Sequence, residues 1–497
     1  MRNLDTPVKQ IRRKIFTEIA KIGFESTDES LIHDIESIPY NIVEERAKYR
    51  ERAVASERVR LAMGLSLRPE NRSVHLTDGV KASNIDEKYY EPPLMQVIPS
   101  ACSACESNKY EVSNMCRGCV AHPCMLTCPK GAISMVDGKS FIDQDKCIHC
   151  GRCKAVCPYD AIAHKERPCE RACGVKAIES DEQGRASINQ DKCVSCGMCM
   201  VSCPFGAISD KSQIFQLSHA LREGTEIIAE VAPAYINQFG EDVTPGKFRS
   251  ALKQLGFSNI YEVALGADIG CISEAHHYAK EVATGNLPFL LTSCCPSWSV
   301  MAKKYFPAMI DNISQELTPM VATARIVKKE HPNAKVVFIG PCASKKLEAM
   351  RHSVRSDVDF VITFEELWGL FDAKNITPST CEELPEETQA ATAAGRGYAI
   401  AGGVAGAIEN CLKEYYPDVP VHIEHAESLA ECKKVLTLAK AGKIKNCMIE
   451  GMACPGGCIG GAGTNAGFAK TSKALKKYVD TSEPKLPSQE LENLELN

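Results

Sequence analysis

Residues 287–298 read LPFLLTSCCPSW. A short apolar run is followed by two adjacent cysteines, Cys294 and Cys295, and then by a proline. The run predicts a buried strand, and the loop after it lies at the strand's carboxyl end, where open α/β sheets place their ligands. Two further stretches repeat the arrangement. KVVFIG (335–340) leads into PCASKKLE (341–348), and NCMIE (446–450) leads into GMACPGGCIGGAG (451–463). Three strand ends therefore deliver thiols from distant positions. Cys295, Cys342, Cys454 and Cys458 make a four-thiolate set if the ends converge, and the glycines from Gly456 to Gly463 let backbone approach a bulky group closely.

Outward from these loops, short apolar runs alternate with helical stretches from residue 213 onward, which predicts an α/β region over 213–484. Residues 485–497 are polar and Glu-rich and are expected to be a disordered tail. Residues 1–98 predict a helical segment, helical to about residue 65, followed by a linker. The 497 residues carry a net charge of −5 and 44% hydrophobic residues, so neither a nucleic-acid surface nor a disordered chain is expected. Arg12 and Arg13 are not an export signal, because Glu18 and Lys21 break the apolar stretch behind them. The chain holds no apolar run of the roughly 18 residues a membrane helix needs. A cytoplasmic location without membrane or nucleic acid is the expectation.

The composition is unusual in its 26 cysteines, concentrated in 99–212. A long chain with clustered cysteines in a reducing compartment points to metal–thiolate sites. Cys147, Cys150, Cys153 and Cys157 stand as C-x2-C-x2-C-x3-C-P, and Cys193, Cys196, Cys199 and Cys203 repeat it. This is the run of two-cluster ferredoxins, in which the fourth cysteine serves the other cluster. One [4Fe–4S] cluster is expected on Cys147, Cys150, Cys153 and Cys203, and another on Cys193, Cys196, Cys199 and Cys157. Cys116, Cys119, Cys124 and Cys128 make a similar run, and Cys169 and Cys173 a partial one. These predict a second, interrupted module wrapped around the first. One of its clusters would use Cys116, Cys119, Cys124 and Cys173. The other would use Cys128, Cys169, Cys102 and Cys105, unless the last two are a zinc pair or free thiols. Two to four accessory clusters form a path for single electrons. Cys271, Cys381, Cys411, Cys432 and Cys447 lack ligand spacing and are expected to be buried thiols.

Together, TSCCPSW, GPCASKKLE and EGMACPGGCIGGAG, in this order after an iron–sulfur segment, resemble the three signature loops of the [FeFe]-hydrogenases. The resemblance spans about residues 100–465, and Ser297 after Pro296 with Gly340 before Pro341 is similar to the group B branch. It implies an α/β H-cluster domain of strand–loop–helix lobes, preceded by a ferredoxin-like [4Fe–4S] module and the N-terminal helical segment. The implied activity is reversible interconversion of H2 with two protons and two electrons under anaerobic conditions, with a ferredoxin-type carrier as electron partner. Cys295, Cys342, Cys454 and Cys458 would hold the [4Fe–4S] part of the H-cluster, with Cys458 bridging to a two-iron subcluster carrying CO, cyanide and azadithiolate. Radical-SAM and GTPase maturation proteins would install that subcluster.

By the same resemblance Cys294 is a proton carrier and not a ligand, Glu274 continues the path, and Ser314 is its hydroxyl relay. Lys345 would donate to a cyanide, and Met452, Ala232 and Pro233 would line the pocket. The sequence departs from the family's main branch at Gly340, where methionine is usual, and at Ala234, His277 and Met320, which stand in place of a serine, a glutamate and a glutamine. The outer proton exit is thereby left open, with His277 one way through it. A slow H2-sensing relative and a non-catalytic iron–sulfur carrier or assembly protein are the rival readings. The intact ligand set and Cys294 favour an enzyme over both.

Overall fold

The computed structural model describes residues 5–43, 49–385 and 391–493; residues 44–48, also read as helix, and 494–497 of the expected tail lie outside them. The architecture is mixed α/β with an N-terminal helical region, a cysteine-rich segment of short strands and a large α/β region.

The cysteine-rich segment is built from short strands. β1 (Met95–Val97), β2 (Lys109–Val112), β3 (Ile133–Val136) and β4 (Lys139–Ile142) are followed by β5 (Ile162–Lys165), β6 (Ile178–Ser180), β7 (Ala186–Ile188) and β8 (Ile208–Asp210). Two sets of pairs result. β2 pairs antiparallel with β5 around the β3–β4 hairpin. β1 pairs antiparallel with β8, and β6 pairs with β7. Residues 109–165 thus close on themselves as one ferredoxin-like module, which sits as an insertion within a second module formed by 95–105 and 168–210. This corrects the expected partnership of the two complete runs. Cys147–Cys157 and Cys193–Cys203 belong to different modules, because strand pairing and not spacing decides which half meets which.

The large region has two parallel sheets. β9 (Ile227–Val231) lies between β10 (Asn259–Glu262) and β12 (Lys335–Gly340), with β13 (Phe360–Thr363) at the edge beside β12. β15 (Cys447–Met452) lies between β11 (Phe289–Leu291) and β14 (Ile423–Glu427). The central strands β9, β12 and β15 are buried on both faces and read as largely apolar runs, as parallel strands under helices must.

Three N-terminal helices, Pro7–Glu25, Leu31–Ile42 and Tyr49–Ala62, cover this core. Thr6 caps the first by accepting from the Lys9 N–H, with Pro7 in its first turn. Its Ile15, Phe16 and Ile19 share one apolar core with Ile228 and Phe338 of the central sheet. A buried ion network ties the regions together. Arg12 Nε donates to Glu365 at 2.9 Å, Lys346 Nζ stands 2.7 Å from Asp210 and 2.8 Å from Glu366, and Arg12 reaches Asp210 at 3.4 Å. The tail expected to be disordered from 485 is instead docked at its start. Ala394 N–H donates to the Lys485 carbonyl and Tyr415 O–H to that of Pro487, which fixes backbone a free tail would leave to water.

Candidate active site

The carboxyl ends of β9, β11, β12 and β15 meet around one pocket. Cys295, Cys342, Cys454 and Cys458 line it together, with Cys294 at its wall. Ala232, Pro233 and Met452 close it from the apolar side, and Lys345 is its one lining cation. The sequence-predicted pocket residues are therefore brought together from positions more than 200 apart in the chain.

Each loop is held by local geometry. The Trp298 indole N–H donates to the Thr292 carbonyl at 2.9 Å, which folds TSCCPSW back on itself. That ring is wholly buried against Gly451, where a Cβ would stand 2.2 Å from it, so the third loop needs glycine there. Cys295 is the N-cap of helix Pro296–Tyr305, whose dipole favours a thiolate. Gly456 and Gly457 take φ of +82° and +85° between Cys454 and Cys458 and pack against Phe468 and the 399–401 backbone, a turn that L side chains rarely adopt. Burial pushes the Cys295 thiol up to about 11, and Cys454 well above its ordinary value. A metal group deprotonates its thiol ligands outright, whatever their burial. The donor set fits an iron–sulfur group in that sense. Among the described residues, no three His, Cys, Asp or Glu side chains converge tightly enough for a single metal ion.

Behind Cys294 stands Glu274, buried on helix Ala264–His277. Its carboxyl is hydrogen-bonded by Ser314 and by the Ser293 N–H, yet burial and the charges of Glu316 and Glu450 hold it at about 7. Glu274 and Ser314 are thus joined, and Cys294 lies within Glu274's field. His277 is half-buried one turn further along the helix. Lys345 is buried, with Nζ 2.6 Å from the Glu348 carboxylate.

Two carboxyls escaped the sequence reading. Glu348 closes the quoted PCASKKLE run but has no ligand spacing to draw notice. Glu230 on β9 is fully buried with neither oxygen hydrogen-bonded, and burial pushes it well above the carboxylate range despite nearby Lys345. Its signal was present: one charge inside the otherwise apolar IIAEVAP. The five cysteines expected to be buried thiols are buried, and the Cys271 and Cys411 sulfurs stand 3.0 Å apart.

Residues 225–462 match the family model described as iron only hydrogenase large subunit, C-terminal domain. Residues 141–163 and 186–209 match the 4Fe-4S binding domain. The chain is 30% identical over 389 residues to iron hydrogenase 1 of Clostridium pasteurianum, covering 67% of each chain. It is 29% identical over 375 residues to the periplasmic [Fe] hydrogenase large subunit of Nitratidesulfovibrio vulgaris, covering 65% of this chain and 85% of that one. A more distant likeness, 23% over 288 residues, is to the cytosolic iron-sulfur assembly component 3 of Bos taurus, covering 48% of this chain and 60% of that one. No helix among the described residues is long and apolar enough to cross a membrane.

Proposed function

The chain belongs to the iron-only hydrogenase family, and from that premise we propose that it interconverts H2 with two protons and two electrons at an H-cluster in this pocket. The observation that carries the reading is the meeting of four ligand thiols, the extra thiol of Cys294 and the Glu274–Ser314 pair at one place. Cys295, Cys342, Cys454 and Cys458 would hold the cofactor, whose bound form supplies H2 cleavage and redox chemistry. Cys294 carries a proton between the pocket and Glu274. A carboxyl poised at about 7 can both accept and release that proton at neutral pH. Lys345, fixed by Glu348, offers a charge-assisted donor to an anionic ligand of the cofactor. Ala232, Pro233 and Met452 keep the pocket dry.

Group B membership is supported by Ser297 and Gly340. A side chain at Gly340 would meet the Phe338 ring at 2.5 Å and Ala232 at 3.2 Å, so the methionine usual there in the main branch would require that ring to move. Electrons travel through the ferredoxin-like modules to or from a ferredoxin-type carrier. Residues 109–165 hold eight Lys and Arg against five Asp and Glu, and expose Val120, Leu126 and Met115, which suits an acidic redox partner. Maturation proteins of the radical-SAM and GTPase classes would load the two-iron subcluster, and the cytoplasm is the compartment that keeps such thiols reduced.

Infrared spectroscopy of the matured chain tests the reading. CO and cyanide bands that shift under H2 are expected. If the same maturation machinery loads a known hydrogenase but gives this chain no bands, the catalytic reading fails. The likeness to an assembly component would then be the better guide.

A further inference from the structure

We infer that the two ferredoxin-like modules hold four cubane sites with ligand sets set by module, two of which lie outside the matched 4Fe-4S segments in most of their ligands. The inference rests on the electron-relay reading above and specifies its path.

The argument begins with backbone repetition. Each of the four C-x2-C loops places its third residue at positive φ: Ala104, Gly118, His149 and Ser195, at +46°, +57°, +53° and +53°. The third cysteine of each quarter, Cys124, Cys153, Cys169 or Cys199, sits on a single helical turn. After each fourth cysteine the chain makes one and the same turn. The backbone N–H of Ala132, Ala161, Ala177 and Ala207 donates to the sulfur of Cys128, Cys157, Cys173 and Cys203, at 3.3, 3.4, 3.1 and 3.4 Å. Such N–H···S contacts stabilise a thiolate. The Cys102–Cys105 loop shares the geometry of the loops in the matched segments, so it is neither a stray zinc pair nor two idle thiols.

Module membership then assigns the fourth ligands. In a two-cluster ferredoxin the fourth cysteine of one half completes the cluster of the other half of the same module. In the outer module, Cys102, Cys105, Cys169 and Cys203 line one small pocket together. Cys173 stands in the field of Cys193, Cys196 and Cys199. The inner module leaves Cys116, Cys119 and Cys124 with Cys157, and Cys147, Cys150 and Cys153 with Cys128. Cys124, Cys128, Cys147, Cys153 and Cys157 share one small core that no outer-module cysteine enters. The single-ion geometry of zinc, with its 2.3 Å bonds, would hold four sulfurs roughly 3.8 Å apart. Among the described residues no thiols converge closely enough for a single ion, which suits ligands of four different irons. Cys196 packs beside Cys454 and lies in the field of Cys295, so the Cys173 set is the one next to the catalytic pocket.

Mössbauer spectroscopy of the full chain, purified anaerobically from cells lacking the H-cluster maturases, reads the number of intact clusters. About five [4Fe–4S] clusters per chain are expected, four in the modules and one in the catalytic pocket. A wild-type count of about three overturns the two added sites. The partition is read from two double variants against Cys150→Ala, which loses one cluster. Adding Cys128→Ala is expected to cost no further cluster, because both serve the same one. Adding Cys203→Ala is expected to cost a second. The reverse result overturns the partition in favour of a shared Cys147–Cys203 cluster. Serine variants at the same positions repeat the test where alanine compromises folding. The count needs no H2 turnover, so failure of the catalytic reading leaves it standing, and its own failure leaves the infrared test untouched.

Discussion

The thiols of the catalytic pocket and those of the ferredoxin-like modules are held in opposite ways. In the pocket, four cysteines arrive from three strand ends, and two parallel sheets with a large apolar core place them. In the inner module the buried core is six side chains, and Cys124 and Cys153 are two of them. One region is a fold that would hold its shape around a metal group. The other has a core so small that metal groups would have to complete it, as in small domains with little apolar bulk.

Stripping the iron should break this comparison open. Under anaerobic chelation, amide hydrogen exchange is expected to lose protection throughout 109–165, while β9 and β12 stay protected. Equal loss in both regions would refute the contrast. A smaller effect sharpens the catalytic side. Cys294→Ala is expected to lower H2 turnover roughly 10²–10⁴-fold, the scale of a lost proton-transfer group, with the CO and cyanide bands retained. Unchanged turnover would remove Cys294 from the path.

The seam between the regions gives the next effect. Lys346→Met leaves Glu366 buried without its cation and Asp210 with only the 3.4 Å contact to Arg12, and a loss of about 3–5 kcal/mol in unfolding free energy is expected. A loss of less than about 1 kcal/mol, the value of an exposed pair, would mean that Lys346 does not couple the regions. The smallest effect comes from Glu274. Its carboxyl is raised from 4.5 to about 7, so the folded state loses stability as pH rises through that window and bears the full penalty above it. Glu274→Gln should therefore raise the unfolding free energy at pH 8 but not at pH 4.5, by on the order of 1–3 kcal/mol, while slowing turnover. A variant no more stable at pH 8 than the wild type would sink this account.

Much of the pocket was legible because its chemistry is written in the loops themselves. Two cysteines before Pro296, and glycines flanking Cys454 and Cys458, have few uses other than a bulky metal group. The ferredoxin spacing was legible for the same reason. Its partnership was not, since all four quarters carry nearly the same run and local repetition is silent on which strand finds which. The 63 positions between Cys105 and Cys169 look like a gap in one module, when they hold the whole of another. The Arg12–Asp210–Lys346–Glu366 network was hidden by distance, as each member looks like an ordinary surface charge until the fold buries it. Glu230 could have been flagged by its apolar neighbours alone.

The nesting of one module inside the other has a consequence for how this molecule can be rebuilt. Arg167, just after the inserted segment, donates through Nε and both its neighbours on the guanidinium to groups around it, and the Cys105 carbonyl accepts two of those bonds at 3.0 and 3.1 Å. Entry and exit of the insertion are thus pinned side by side. The inner module is a cassette on a closed hinge: joining Cys105 to Arg167 through a short turn would remove it without disturbing β1, β8 or anything beyond them. What the chain carries there is an extension lead, and its length is a matter of splicing, separate from the chemistry at the far end.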